Sequence, residues 1–222
     1  MPSSSSTKSS GDHQKTQTFA FIAMTCLFFF WGFITVLNDI LIPFLKDSFD
    51  LNYTQAMLVQ FCFFGAYFII SPFAGKLIDK VGYQQGIVLG LITTAVGCFL
   101  FYPSADLHVY ELFLFAFFVL ASGVTILQVA ANPYVAALGP DKTAASRLNL
   151  AQAANSLGTT IGPLVGAALI LGAVATDASA VKGPYIILGS LLVLVAIMFR
   201  YIKLPRITSV EGDDSNNDEN IW

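Results

Sequence analysis

Residues 186–199 read IILGSLLVLVAIMF, a run that contains no charged side chain and does not alternate polar with apolar residues. A strand of a membrane β-barrel is only about ten residues long and does alternate. A membrane-spanning helix instead needs about 20 consecutive, mostly apolar residues. Because the run lies inside a longer apolar stretch, residues 184–204, that stretch is predicted to be a transmembrane helix.

The same kind of stretch recurs along the chain and predicts six transmembrane helices in all. The composition agrees, because 55% of the 222 residues are hydrophobic and only 11% are charged, whereas about a quarter of a soluble domain is charged. The predicted fold class is therefore an all-α membrane protein, a six-helix bundle. The other five predicted helices cover residues 19–44, 54–74, 84–102, 109–138 and 148–173.

Polar segments flank the predicted bundle of residues 19–204. Residues 1–18 are rich in serine and lack the apolar core of a signal peptide. They are predicted to form a disordered cytoplasmic tail. Residues 205–222 are acidic and have the composition of a disordered cytoplasmic linker or tail.

Basic residues decide the expected orientation, because cytoplasmic connections of membrane proteins are enriched in Lys and Arg. With the N-terminus inside, nine of the eleven basic residues are cytoplasmic and two are external. We therefore expect a multi-pass protein of the plasma (inner) membrane with both termini in the cytoplasm. The cytoplasmic set is Lys8, Lys15, Lys76, Lys80, Lys142, Arg147, Arg200, Lys203 and Arg206, and the external set is Lys46 and Lys182.

One carboxylate, Asp39, lies well inside a predicted span, directly after Asn38. Ionisable residues in membrane helices are costly and commonly mark functional sites. The structural alternative is that Asp39 lies near the helix end and reaches interfacial water. Since the apolar residues 40–44 follow it, we favour a titratable group that faces a cavity and exchanges protons.

The fifth predicted helix carries a stripe of amides and hydroxyls, which their spacing of three and four residues places on one face. Such a stripe must face protein or water rather than lipid. Two interpretations stay open: hydrogen bonds to a neighbouring helix, or a sugar site, because neutral amides offer donors and acceptors to hydroxyl groups. The stripe consists of Asn149, Gln152, Asn155, Ser156 and Thr159.

Two further features concern packing and helix geometry. Residues 158–166, GTTIGPLVG, repeat a small residue every four positions, which predicts close packing on a neighbouring helix. The fourth predicted helix carries Gln128 and is interrupted by Asn132-Pro133, since proline removes a hydrogen bond and bends a helix. Broken or bent helices of this kind line the midplane cavity of transporters.

Enzyme chemistry is not expected. The three cysteines, Cys26, Cys62 and Cys98, lie in apolar runs without metal-site spacing and are interpreted as small core residues. The sequence offers no nucleophile–base pair, metal cluster or phosphate-binding loop. No metal or organic cofactor is therefore predicted.

Residues 75–83, GKLIDKVGY, match the pattern Gly-x-x-x-Asp-Arg/Lys-x-Gly between the second and third predicted helices. The motif resembles the loop signature of the major facilitator superfamily. Other stretches resemble, more specifically, its fucose permease and glucose/galactose transporter family, over residues 19–205. They are residues 30–33 (FWGF), 37–43 (LNDILIP), 130–134 (AANPY), 138–140 (LGP), 147–152 (RLNLAQ) and 155–156 (NS).

The resemblance implies proton-coupled sugar symport by alternating access, with the proton as coupling ion and no cofactor. It assigns Asp39 to proton coupling and Gln152 and Asn155 to the fifth-helix amides. Fucose permeases have a Glu in the fourth helix where this chain has Gln128, which argues against fucose specifically. The predicted substrate-binding residues are Asn38, Gln128, Asn132, Gln152 and Asn155, and the predicted conformational gating loop contains Gly75, Asp79, Lys80 and Gly82.

The family has twelve helices in two bundles, each a 3+3 inverted repeat, whereas this sequence supplies the N-terminal bundle. Expected partners are a sugar such as fucose, galactose or glucose, the lipid bilayer and a second six-helix bundle, but no nucleic acid. We favour a missing C-terminal half over a second copy as that bundle. Two alternatives stay open: a proton-coupled exporter of the same fold, because residues 158–166 resemble a motif of drug/proton antiporters, and a non-transporting sensor or assembly partner.

Overall fold

The computed structural model describes residues 6–168, 181–202 and 204 of the chain, with side chains described from Thr16 onward. In this part the chain is helical and contains no strand. Each of the six predicted helices has a counterpart. They are α1 (Ser6–Ser48), α2 (Tyr53–Val81), α3 (Tyr83–Leu107), α4 (Tyr110–Ala137), α5 (Ala144–Gly166) and α6 (Lys182–Tyr201), with a short 3-10 helix, Asp141–Thr143, before α5.

Helix α1 begins at Ser6, N-terminal of the predicted boundary at residue 19 and within the segment expected to be a tail. The side chains of residues 16–19 are exposed, and the first buried residue of the helix is Ala20. Residues 1–5 and 205–222 lie outside the described residues. The predictions of a disordered N-terminal tail and an acidic linker therefore stay predictions there.

The connection between α2 and α3 is shorter than predicted, because α2 continues to Val81. The expected loop is corrected: Gly75, Asp79 and Lys80 lie in the last turns of α2. Gly82 alone separates the two helices, with a φ of 83° in the region that favours glycine. Since no residue before Gly82 forces the chain out of helical geometry, the helix ends only there.

Helix α4 runs unbroken through Asn132 and Pro133, so the predicted interruption does not occur. Pro133 lies in the last turns of the helix, which ends at Ala137, so only about one turn of helix follows the hydrogen bond that the proline removes. The carbonyl oxygens at this end are satisfied by Arg147 of α5. Its guanidinium donates to the carbonyl oxygens of Val135, Ala136, Gly139 and Pro140 and to Thr143 Oγ1.

Successive helices run in opposite directions, so the connections alternate between two ends of the bundle. We call them the Asp50 end, which holds the α1–α2 and α3–α4 connections, and the Gly82 end, which holds the α2–α3 and α4–α5 connections. An ion pair between Lys182 and Asp106 links α6 to α3 at the Asp50 end.

Four helix pairs carry most of the packing: α3 with α4, α1 with α5, α3 with α6, and α2 with α4. The pairing of α2 with α4 mirrors that of α5 with α1. Such an exchange is expected when α1–α3 and α4–α6 are two related three-helix repeats. Helix α1 packs mainly against α5 and only sparsely against α2 and α4.

The tightest pairs meet through glycines. In the α3–α4 pair, a Cβ on Gly97 would lie 2.5 Å from the backbone nitrogen of Leu120. In the α1–α5 pair, a Cβ on Gly158 would overlap the carbonyl oxygen of Phe29. The prediction that residues 158–166 pack on a neighbouring helix is therefore confirmed, and that neighbour is α1.

Five of the described helices are long and apolar enough to cross a membrane, and the chain is a multi-pass membrane protein. Helix α5 does not meet the same criterion, because its amides and hydroxyls lower its hydropathy. Its predicted end at residue 173 lies outside the described residues. The five segments are Thr16–Ser48, Tyr53–Val81, Tyr83–Leu107, Tyr110–Ala137 and Lys182–Tyr201.

Candidate substrate and proton site

The Asp39 carboxylate lies on α1, about two and a half turns before the helix ends at Ser48. Its side chain is exposed on the surface of this six-helix bundle, and Gln60 Nε2 of α2 donates to its Oδ1 at 3.4 Å. Among the described residues no cation pairs with Asp39. An amide can donate to a carboxylate and accept from a carboxylic acid, so Gln60 suits both protonation states.

Three side chains from α1, α2 and α4 meet closer to the middle of the bundle. Gln128 Nε2 of α4 donates to the Tyr67 hydroxyl of α2 at 2.9 Å. Trp31 of α1 is a second hydrogen-bond partner of the Tyr67 side chain. Gln128 Oε1 has no hydrogen-bond partner in the described part of the chain, which leaves one strong acceptor free beside two aromatic rings.

Asn132 lies one helical turn after Gln128 on α4 and is half-buried. Its Oδ1 is buried and has no hydrogen-bond partner among the described residues. Buried polar atoms are normally paired, so an unpaired one needs an explanation such as a ligand or an ordered water. Gln128 and Asn132 together present two acceptors on one face of α4.

The polar stripe of α5 divides between structural and free groups. Asn155 Nδ2 donates to the Phe28 carbonyl oxygen of α1 at 3.0 Å. Ser156 and Thr159 donate to carbonyl oxygens of α5 itself. Gln152 is half-buried, and its side chain makes no hydrogen bond to the described residues. The interhelical interpretation therefore holds for Asn155, whereas the interpretation of Gln152 as a ligand-binding residue stays a prediction.

Asn38 is directed away from the other predicted site residues. It is 4% exposed, and its Oδ1 accepts a hydrogen bond from the Tyr185 hydroxyl of α6 at 3.3 Å. Its Nδ2 is buried without a partner in the described residues. Beside this pair, apolar residues of α1, α5 and α6 line a cleft of about 200 Å³, among them Leu37, Gly166 and Leu188.

The predicted site residues thus form two groups rather than one. Asp39 and Gln60 lie about 12 Å along α1 from the level of Trp31 and Tyr67. Gln128 and Asn132 on α4 extend from the Trp31–Tyr67 level toward the Gly82 end. The structure does not bring Asp39 into hydrogen-bond contact with any predicted substrate-binding residue.

Sequence reasoning missed four side chains of these contacts: Trp31, Gln60, Tyr67 and Tyr185. A signal for two of them existed, because Gln60 and Tyr67 are spaced by seven residues and so lie on one face of α2. Tyr185 had no such signal, since its partner Asn38 is 147 residues away in sequence.

A comparison of the sequence with protein families identifies the fold. Residues 20–218 match the family described as Major Facilitator Superfamily. The chain belongs to the major facilitator superfamily. Helix order, the motif at residues 75–83 and the paired three-helix repeats agree with this membership.

Curated relatives include facilitator-family sugar transporters. The chain is 58% identical over 212 residues to the glucose/galactose transporter of Brucella abortus, an alignment that covers 93% of this chain and 51% of the relative. It is 37% identical over 215 residues to the L-fucose-proton symporter of Escherichia coli, covering 88% and 49%. The chain spans about half the length of these relatives.

A solved facilitator-family structure confirms the fold of this half. The transporter FucP, crystallised in the outward conformation, superposes with a TM-score of 0.79 at 36% sequence identity. The match covers 90% of this chain and 53% of that structure. This six-helix bundle therefore has the fold of one half of a facilitator transporter.

Proposed function

We propose that this chain is one six-helix half of a transporter that moves a monosaccharide such as glucose, galactose or fucose together with a proton. The proposal rests on the environment of Asp39. This carboxylate lies within an apolar span, and its described side-chain partner is the neutral amide of Gln60. A carboxylate without a cationic partner can take up and release a proton without breaking an ion pair. The names of the relatives, glucose/galactose transporter and L-fucose-proton symporter, agree with this assignment.

The proposed sugar contacts are Gln128, Asn132, Gln152 and Asn155. Gln128 Oε1 and Asn132 Oδ1 are acceptors without a described partner, and the whole Gln152 amide is free. Sugar hydroxyls need such neutral donors and acceptors. Asn38, predicted for the same set, offers only Nδ2, because its Oδ1 accepts from Tyr185.

The proposed transport cycle requires a second six-helix bundle, since facilitator transporters rock two bundles about a central site. The Gly82 end is proposed to face the cytoplasm together with both termini, because nine of the eleven basic residues are assigned to that side. Gly75, Asp79, Lys80 and Gly82 are proposed to act in gating as the end of α2 and its single connecting residue.

Uptake of labelled glucose, galactose and fucose into proteoliposomes, with and without an inward proton gradient, tests this function. The chain is assayed alone and together with the C-terminal six-helix half of the Brucella abortus relative. We expect gradient-driven uptake that Asp39→Asn abolishes. Glu111→Gln, at the exposed start of α4, serves as the matched control and should retain uptake.

Two results would contradict the proposal. One is uptake that does not depend on the proton gradient or on Asp39, which would remove the coupling assignment. The other is no uptake of any of the three sugars by correctly folded chain in either preparation. Uptake that appears only with the second half would support the requirement for two bundles.

A further inference from the structure

Helices α1 and α6 make few direct contacts, and a cleft lies between them. Phe33 and Leu37 of α1 face Leu188 and Leu191 of α6 across the cleft of about 200 Å³. The atoms that line this cleft are apolar and do not interlock. Packing against α6 therefore does not fix the rotation of α1 along this stretch. The close apolar contacts that act on it come from α5, where Val36 and Ile40 meet Gly162 and Gly166.

One buried hydrogen bond crosses the same pair of helices. The Tyr185 hydroxyl donates to Asn38 Oδ1 at 3.3 Å, and the two residues are 1% and 4% exposed. Two apolar side chains of similar size could fill this space without the cost of burying an amide and a phenol. The Asn38–Tyr185 hydrogen bond consequently fixes the orientation of the two side chains, which apolar side chains that only filled the space would not do.

Tyr185 is a fixed anchor in this contact. Its ring lies 4.3 Å from the ring of Phe101 on α3, centroid to centroid, and α3 packs extensively along α6. Asn38, in contrast, has no described partner for its Nδ2. The hydrogen bond from the Tyr185 hydroxyl therefore holds the Asn38 amide in place.

Asn38 and Asp39 are consecutive on α1 and so point in directions about 100° apart around the helix. With the Asn38 amide held toward α6, the Asp39 carboxyl is directed toward Gln60 of α2. We propose that Asn38 and Tyr185 are positioning residues that, together with the packing of α1 on α5, set the direction in which α1 presents the Asp39 carboxyl. The assignment of Asp39 to proton coupling comes from the proposed function, on which this inference rests.

The test measures the reactivity of Asp39 without requiring transport. A hydrophobic carbodiimide adds to a protonated carboxyl group in a membrane and leaves a stable N-acylurea, which peptide mass spectrometry locates. Wild-type chain, Tyr185→Phe and Tyr201→Phe are labelled in liposomes over a pH series, with Asp39→Asn as the blank. Tyr201 is the matched control, because it lies on the same helix and is 82% exposed.

We expect Tyr185→Phe to label at Asp39 at least threefold faster than wild type at neutral pH and to change the shape of the pH profile. The reason is that a freed α1 turn lets the carboxyl leave Gln60, its described polar neighbour. No cationic side chain of the described residues pairs with Asp39, so no ion pair contributes to the profile. Tyr201→Phe should label like wild type.

Equal labelling of Tyr185→Phe and wild type, with both folded, would overturn the inference. If Tyr185→Phe does not fold, Asn38→Leu makes the same test from the α1 side and should give the same acceleration. Failure of sugar uptake by the wild-type chain, both alone and with the second six-helix half, would contradict the proposed function. The labelling experiment would still test the positioning role, because it does not require transport.

Discussion

The α3–α4 and α6–α1 pairs correspond to each other, because each places the third helix of one three-helix repeat beside the first helix of the other repeat. The two pairs are nevertheless joined by different means. In the α3–α4 pair, Gly97 of α3 brings the backbone of α4 into contact at Leu120. In the α6–α1 pair, a cleft of about 200 Å³ separates apolar side chains, and the Asn38–Tyr185 hydrogen bond bridges the gap. One pair is closed by backbone contact and the other by a side-chain bridge.

The difference indicates where this six-helix bundle can adjust. Glycine contacts allow one arrangement, because any shift brings backbone atoms into overlap. Side-chain bridges allow several, because a hydrogen bond can break and form again at modest cost. Helix α1 uses both means, since its α5 side is closed by Gly158 whereas Asn38 and Asp39 bridge to α6 and α2. Asn38 and Asp39 therefore lie on the sides of α1 that face α6 and α2, away from its glycine contacts with α5.

The largest effect is expected where the backbones touch. Gly97→Val should lower the free energy of unfolding by about 3 kcal/mol, the upper range for overpacking a core. The measurement is denaturation by SDS in mixed micelles, followed by circular dichroism. Gly65→Ala is the control, because a Cβ there meets nothing within 4 Å, and it should leave stability unchanged or slightly raised. A small loss in Gly97→Val would mean that the α3–α4 pair is not closed by its backbones.

Such glycine contacts were partly predictable from the sequence. The spacing of residues 158–166 predicted a close helix contact, and the structure identifies α1 as the partner helix. The number and order of helices also followed from the apolar stretches. Their ends did not, because the motif at residues 75–83 looks like a loop by its charges, yet only Gly82 leaves helical geometry.

The side-chain bridges could not be predicted from the sequence, for a physical reason. Asn38 and Tyr185 are 147 residues apart, and neither belongs to a periodic pattern that would select its partner. Asp39 was recognisable because a carboxylate in an apolar run is unusual, whereas Gln60 became informative only when α1 and α2 were placed side by side. The local sequence pattern therefore indicated candidate site residues that are chemically unusual, but not the side chains that contact them.

The second largest effect is expected at the bridge between α4 and α5. Arg147→Lys should cost about 2 kcal/mol, in the range for hydrogen bonds to charged groups. A lysine keeps the charge but cannot reach the four carbonyl oxygens and one hydroxyl that the planar guanidinium binds. The thermal unfolding midpoint in detergent measures the loss. Arg200→Lys, an exposed arginine on α6, should leave the midpoint unchanged, and equal shifts in both variants would contradict the bridge.

A double-mutant cycle measures the Asn38–Tyr185 bridge itself. Tyr185→Phe leaves a buried amide without a partner and should cost about 1–2 kcal/mol, as should Asn38→Leu, which strands the hydroxyl. The double variant should lose less free energy of unfolding than the sum of the two single variants, because neither an unpaired amide nor an unpaired hydroxyl is then buried. Unfolding of all four proteins in SDS gives the coupling energy. Strict additivity would show that the two side chains do not interact in the bilayer-embedded bundle.

The smallest effect on stability is expected for the bridge between α1 and α2. Gln60→Leu removes a long hydrogen bond, 3.4 Å, to an exposed carboxylate, so the free energy of unfolding should change by less than about 0.5 kcal/mol. Gln85→Leu, an exposed amide on α3, provides the control in the same SDS titration. If Gln60→Leu instead destabilised as strongly as Arg147→Lys, the Asp39 contact would be part of the rigid framework. A carboxylate held that firmly could not change partner when it binds a proton, so a small stability effect is what a proton-exchanging Asp39 requires.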